Sequence, residues 1–591
     1  MSVSHDNEKV NDSVADDTKG GDDSSVQALL DRAHQEGIKP IFLAKVKVLN
    51  DAIAECGLGR YQVCPLLHAW GGVERVEWSA TSSEHPTADL GNPYAPLRRS
   101  TSRYSGLYEL FFSAGFGWFA DNIWLQAIAI VMPAIANQYN FPNYSSNIRM
   151  ATFALYCGLI VGATFWGMTC DVIGRRTAWN ATLFISGVFG VAAGASPNFI
   201  TLCAMLACIG FGVGGNLPVD GALFLEFLPG KDQYLLTLLS LWWAVGQVVA
   251  SLISWVFLAK YSCDTTLVGV QVLPDGSLYR CDDTNNNGWR YSYYTMGAMM
   301  LFLGILRIFV FPMDESPKFL VSIGRDQDAV NVIHNIAKKN GTTSKLTMQD
   351  LHEAAIPYLD PDSPEVVPTT RFTTWGLIRN SLDDVRGENI KGLFCTPRLA
   401  YSSSLIIFIY AALGLAYPLF NAFLGSYLST RETETGSTGI DATYSAYTYQ
   451  AACGVGGSAL AAVMVQWNRT GRKYSLAFFT IMSGVFLFAL TAARTSVQVN
   501  ALVSIASFWE NAFYGVLYGY APEVFPTPRR GTGDALAAAA SRVTGLFAPV
   551  IAVYSNAGKT PNGPVYASAA IFIFTGLTML GLPIETVGVT A

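Results

Sequence analysis

GMTCDVIGRR (167–176) is the stretch that decides the fold. It places one acid and two arginines on a short hinge. Before it lies FALYCGLIVGATFW and after it TAWNATLFISGVFGVAAG, both almost without charge. Two apolar segments of this length, joined by a charged turn, read as two membrane crossings with the turn at the water interface. A hydrocarbon core of about 30 Å needs roughly 20 mostly apolar residues per helix.

The rest of the chain repeats this design. Its 591 residues are 51% hydrophobic and only 14% charged, against about 25% charged in a soluble domain. Twelve apolar runs fall at 111–136, 148–170, 177–195, 199–222, 235–259, 293–311, 400–428, 443–466, 474–493, 498–520, 535–555 and 564–582. Several carry Gly or Pro, which membrane helices tolerate. The gaps are mostly short, which excludes a barrel of ten-residue alternating strands. The fold class expected is an all-α membrane protein of twelve transmembrane helices in two six-helix halves.

Charge is sorted between the gaps. Arg175 and Arg176, Arg469 with Arg472 and Lys473, and Arg529 with Arg530 share one parity, as does the basic gap 312–399. The positive-inside rule sends these gaps and both termini to the cytosol. The opposite gaps carry Asn143-Tyr144-Ser145, a glycosylation acceptor pattern, and the pair Cys263 and Cys281. A disulfide between those two suits an oxidising exterior, although no spacing rule demands it. The other cysteines lie mostly in apolar runs and read as buried thiols. No Cys/His cluster suggests a metal, and no cofactor is expected.

The halves repeat in sequence. GMTCDVIGRR pairs with VQWNRTGRK (465–473), and LFLEFLPG (223–230) with YAPEVFPT (520–527). Gly174 and Gly471 are 297 residues apart, and so are Pro229 and Pro526. Duplicated halves with a site between them are a common transporter plan. The division expected is a cytosolic segment 1–61, an irregular insertion 62–109, a half at 110–311, a central cytosolic loop 312–399, and a half at 400–591 with a short tail. The first forty residues are acidic and polar and read as disordered. The insertion shows no helical period, and the codons for Val63-Cys64 can spell a splice donor. It is read as a retained intron or gene-model error, with a genuine insertion as the alternative. GFGVGG (210–215) looks like a phosphate loop, but it lies inside an apolar helix and is expected to serve close helix packing.

These motifs resemble the major facilitator superfamily. GMTCDVIGRR is similar to its Gly-x-x-x-Asp-x-x-Gly-Arg-Arg signature between the second and third helices. MDESPKFL (313–320) resembles the Pro-Glu-Ser-Pro-Arg motif of sugar porters. APEVFPTPRRGTG (521–533) resembles the motif after the tenth helix of sugar porters and of synaptic-vesicle-type and organic-ion relatives, and GNLPVDGALFLEFLP (215–229) looks most like synaptic-vesicle-related members. The glutamine pair of sugar porters is missing from YAALGLAYPLFNAFL (410–424), which carries Asn421. The resemblance implies a cytosolic gate formed by Asp171, Arg175, Arg176 and Glu226, and by Arg472 and Glu523 in the second half.

Ionisable side chains inside the membrane default to functional candidates. Asp121, Asp220 and Glu510 are the candidates for carrying a coupling proton. Polar and aromatic residues at helical spacing mark a cavity: Asn122 and Gln126; Trp243 and Gln247; Tyr410, Tyr417 and Asn421; Tyr447 and Gln450; Asn511 and Tyr514; and Arg542, as counter-ion or anion site. The function expected is alternating-access transport of a small polar organic solute (a sugar, a polyol or an organic ion) by proton symport. A uniporter and a non-transporting nutrient sensor are the alternatives. A sensor tends to carry a long cytosolic tail, and about nine residues follow the last run. An enzyme is not expected, because six histidines supply no catalytic constellation. The expected partners are the solute, protons and the lipid bilayer. No nucleic acid is expected, and the chain is read as monomeric, in the plasma membrane or else the vacuolar membrane.

Overall fold

The structure, a computed structural model, describes residues 40–56, 109–139, 148–228, 234–263, 279–358, 388–435, 440–467, 471–525, 530–554 and 562–585. The insertion, the 143–145 acceptor, Pro229, Pro526, Arg469 and Arg529 lie outside these residues, as does the side chain of Asp171.

Helices occupy all twelve apolar runs. In chain order they are α2 (Glu109–Gln138), α3 (Met150–Ile173), α4 (Arg175–Gly194), α5 (Phe199–Val213) with α6 (Asn216–Glu226), α7 (Tyr234–Tyr261), α8 (Gly288–Phe309), α13 (Pro397–Thr435), α14 (Ile440–Gln466), α15 (Gly471–Thr491), α16 (Ser496–Val524), α17 (Arg530–Gly545) with α18 (Phe547–Tyr554), and α19 (Gly563–Met579). Nine described helices are long and apolar enough to cross a membrane, and α5 and α19 are shorter apolar helices. Large apolar side chains such as Val161, Ile200, Val256, Phe302 and Phe574 are exposed on their outer faces. A soluble protein would not leave so many uncovered, so this surface faces lipid. The protein is an integral, multi-pass membrane protein.

The expected fourth run, 199–222, is not one uninterrupted helix. It breaks at Gly214-Gly215 and resumes to Glu226. The glycines of 210–215 lie against neighbouring helices: Gly210 and Gly214 face the backbone of α3, Gly212 that of α4 and Gly215 the Trp166 side chain, and a side chain on Gly210 would meet the carbonyl of Leu155 and the nitrogen of Leu159. Packing is their role. The expected eleventh run likewise starts earlier, at Arg530, and is interrupted after Gly545.

Helix pairing repeats between the halves. α2 packs on α7 as α13 packs on α17; α3 on α5 as α14 on α16; α4 on α8 as α15 on α19. The halves meet where α7 packs on α14 and α3 on α17. Gly174 and Gly471, paired in the repeat, both have positive φ, at 94° and 60°. That backbone region is open to glycine with little strain.

A further helix, α1 (Pro40–Cys56), was not anticipated. Leu49, Ala52 and Ile53 pack against Ile333, Ile336 and Leu351 of the central loop. That loop forms α9 (Pro317–Ser322), α10 (Asp326–Asn340), α11 (Met348–Ala355) and α12 (Glu388–Gly392). Lys45 reaches Asp326 at 2.7 Å.

Candidate functional site

Two connected cavities lie between the halves. The inner one is lined by α2, α3, α5–α7, α13, α16 and α17, with Asp121, Tyr156, Trp243, Tyr410, Tyr514 and Arg542 as its principal side chains. The outer one includes Gln126, Arg149, Tyr156, Asn421 and Tyr447. Leu125, Tyr156, Tyr417 and Pro418 line both and join them into one path.

The inner floor is aromatic. Trp243 stacks on Tyr518 at 5.3 Å and on Tyr514 at 6.2 Å between centroids. Tyr518 also meets Tyr410 at 5.9 Å and the buried Trp118 at 5.7 Å. These rings bridge α2, α7, α13 and α16. Such packing fixes the orientation of the rings.

Opposite charges meet in this cavity. Asn216 Nδ2 donates to Asp121 Oδ1 at 3.1 Å and to the Gly117 carbonyl at 3.3 Å, so the start of α6 holds the acid of α2. Arg542 Nη1 donates to the Gly214 carbonyl at 2.8 Å. The helix break at Gly214 thus supplies a carbonyl to hold an arginine from the other half. That interruption is tolerated in a membrane because its polar groups find protein partners.

Asp220 is placed differently. It pairs with Arg307 at 3.1 Å, both with 0% side-chain exposure. Arg307 also donates to the carbonyls of Ser113 and Trp179, both at 2.7 Å, and its guanidinium lies 3.8 Å over the Trp179 ring. This is a tie between α2, α4, α6 and α8. Glu510 is buried outside both linings, with no hydrogen bond to Oε1 among the described residues.

Of the expected cavity residues, Gln126, Trp243, Tyr410, Tyr417, Asn421, Tyr447, Tyr514 and Arg542 line the path. Asn122, Gln247, Gln450 and Asn511 do not. Asn122 donates to the Trp243 carbonyl at 3.0 Å, Gln247 to the Tyr417 hydroxyl at 3.0 Å, and Asn511 to Gln247 Oε1 at 3.3 Å. Their amides connect helices. Gln450 is buried elsewhere. Tyr156, Arg149, Asn216 and Arg307 were not singled out in sequence. Tyr156 and Arg149 follow α3's own face, a signal the sequence did hold.

At the charged hinges Arg175 pairs with Glu226, and Arg472 with Glu523. Two further acids were missed. Glu315 accepts the backbone N–H of Arg175 at 3.0 Å, and Glu585 that of Arg472 at 3.0 Å. Each carboxylate caps free N–H groups at the first turn of a helix, where negative charge is favourable. Arg176 donates its backbone N–H to Glu315 at 3.3 Å. Lys318 is buried nearby, and desolvation, with Arg530 and Arg175 adding to it, pushes it from its ordinary 10.5 to about 7.

Cys263 and Cys281 form a disulfide in the structure. Among the described residues no three His, Cys, Asp or Glu side chains gather as a metal site.

The sequence profile of the Major Facilitator Superfamily matches residues 110–549. The chain belongs to that superfamily. It is 40% identical to "MFS siderochrome iron transporter 1" of Ceriporiopsis subvermispora, over 93% of this chain and 92% of the relative. It is 39% identical to "Major facilitator-type transporter hxnZ" of Emericella nidulans, over 81% of this chain and 84% of the relative. Among solved structures it is similar to the proton:xylose symporter XylE bound to a bromo-deoxyglucose, with a TM-score of 0.60 and 16% identity over 82% of this chain and 97% of that one. The superfamily and the fold make this chain a transporter of small molecules and not an enzyme.

Proposed function

We propose that the chain moves a small organic anion with a planar face, together with a proton, by alternating access. The observation that carries this reading is the inner cavity, where Arg542 and Asp121 share one aromatic-walled space between the halves. A guanidinium in a water-poor site is a strong partner for a carboxylate. The rings of Trp243, Tyr410 and Tyr514 offer faces for stacking. A sugar would ask for free amides, and those of Asn122, Gln247 and Asn511 are engaged between helices.

Asp121 is the proton carrier in this reading. An ionised Asp121 competes with the solute for Arg542, and a protonated one leaves the guanidinium to the anion. Anion and proton then enter as a neutral pair. Asp220, held by Arg307, has a structural role instead, and Glu510 lies off the path. Arg175–Glu226 and Arg472–Glu523 are the gate pairs that break as the cytosolic side opens. A shift between 1:99 and 99:1 needs about 5.5 kcal/mol of difference between the states, within reach of several such contacts.

The test is uptake into proteoliposomes under an inward proton gradient. Labelled aromatic monocarboxylates are compared with their neutral amides, with quaternary ammonium ions and with xylose. Uptake of the carboxylate alone, lost in Arg542→Gln, is the expected result. Uptake of xylose or of the cation, unchanged in Arg542→Gln, overturns the anion reading. A second reading is siderochrome iron, the cargo named for the Ceriporiopsis relative. Radioiron uptake that survives Arg542→Gln would favour it.

A further inference from the structure

An acid that the proposed reaction does not use lies one helical turn from the inner cavity. Asp534 of α17 precedes Ala538, Ser541 and Arg542 by four, seven and eight residues, the spacing of one helical face. Those three residues line the inner cavity, so Asp534 continues their stripe toward the start of the helix. Its Oδ1 is buried and has no hydrogen-bond partner among the described residues. Arg530, one turn further along the stripe, is the only charged group among the described residues that acts on Asp534, and Arg530 in turn acts on Lys318 at the charged hinge.

Two tyrosines join this acid to Asp121. Tyr518 and Tyr410 both line the inner cavity, and their ring centroids are 5.9 Å apart. The charge of Asp121 acts on Tyr518, and that of Asp534 acts on Tyr410. Helix α13, which holds Tyr410, packs along α17. The order Asp121, Tyr518, Tyr410, Asp534 thus runs from the cavity to the charged hinge, with a hydroxyl at each intermediate point. A phenolic hydroxyl both donates and accepts, which suits it to pass a proton between carboxyl groups. Chains of ionisable side chains facing a cavity are the means by which membrane proteins relay protons.

We propose that Asp534 is the outlet for the coupling proton, the acid that takes it from Asp121 once the solute has left and releases it at the charged hinge. This rests on the reading of Asp121 as the proton carrier. The neutral Asp121 carboxyl gives its proton, along the two hydroxyls, to the Asp534 carboxylate. Asp121 becomes a carboxylate and is again neutralised by Arg542. The neutral Asp534 then passes the proton to solvent on the side of Arg530, so one proton crosses for each anion. Without the outlet the carrier stays protonated, and it exchanges solute but does not complete a net cycle.

The test separates exchange from net transport. Proteoliposomes loaded with unlabelled carboxylate and placed in labelled carboxylate at equal pH read exchange, which moves no net proton. Labelled uptake into empty vesicles under an inward proton gradient reads the net cycle. Asp534→Asn should slow net uptake about a hundredfold and leave exchange and the melting temperature in detergent unchanged. Asp534→Glu, which restores a carboxyl, should recover most of the net rate. Net uptake unchanged in Asp534→Asn, exchange lost along with it, a fall in melting temperature, or no recovery in Asp534→Glu overturns the proposal. If the parent exchanges no carboxylate, the anion reading fails by itself, and the same split is read on the other solute of the screen that it takes up. A parent that takes up none of them, or takes one up without regard to the gradient, overturns both.

Discussion

Removing Arg307 should unfold the first half more readily than any loss at the cavity surface. Its side chain and that of Asp220 have no exposure, and they lie 3.1 Å apart. The carbonyls of Ser113 and Trp179 sit within helices, so each still accepts an intrahelical N–H when Arg307 is lost. The cost therefore falls on Asp220, left as a buried acid without its cation. Breaking a buried pair from one side costs about 3–5 kcal/mol, and Arg307→Met should show a loss of this size. Replacing both partners removes the uncompensated charge, so Asp220→Asn combined with Arg307→Met should cost less than Arg307→Met alone. The assay is the unfolding free energy by SDS titration in mixed micelles, run as a double-mutant cycle. A coupling of about 2 kcal/mol or more is expected, and the double variant should keep gradient-driven uptake. An Arg307→Met loss below about 1 kcal/mol, additive single effects, or proton coupling lost in Asp220→Asn would refute the structural assignment of this pair.

Three further outcomes follow from the packing. Gly210→Val should cost about 3 kcal/mol, because its branched side chain would enter the backbone of α3 at Leu155 and Leu159; thermal melting in detergent measures it, and a shift of a degree or less would contradict the packing role. Lys318 carries a pH dependence: hydrated, it holds its proton up to about 10.5, whereas packed beside Arg175 and Arg530 it releases it near 7. The packed form thus binds fewer protons between these values, so its stability rises with pH from about 7 to 10.5 and is lowest below 7; accessibility of a cysteine at the charged hinge beside Arg175 should fall over that range in the parent and lose the trend in Lys318→Met. Replacing Cys263 and Cys281 by Ser, which frees a link across 18 residues, should cost about 3 kcal/mol, read by melting the parent and the variant side by side.

The helices were legible because lipid imposes a length and a polarity on each crossing. The hinge 167–176 and its partner at 465–473 were legible because the duplication shows twice at one offset. Composition did not locate the break at Gly214-Gly215, because its meaning depends on Arg542 approaching from α17 some 330 residues away. The amides of Asn122, Gln247 and Asn511 have the same helical spacing as cavity residues, and only the neighbouring helix decides whether they face solute or protein. Arg307 escaped notice at the end of an apolar run, where an arginine usually reaches the interface. The acids Glu315 and Glu585 lie in loops, and their use is set by which helix start they reach. Helix α1 went unread because a short helix of moderate hydrophobicity resembles its polar surroundings until α10 and α11 cover it.

The coupling of solute to proton through Asp121 is the claim on which the account turns. It is tested most directly by a pH electrode outside a suspension of proteoliposomes with no gradient imposed. Addition of the transported carboxylate should alkalinise the medium in the parent, one proton following each anion inward. Asp121→Asn should take up the anion without that signal, or fail to accumulate it against a gradient. Alkalinisation that persists undiminished in Asp121→Asn would contradict the account.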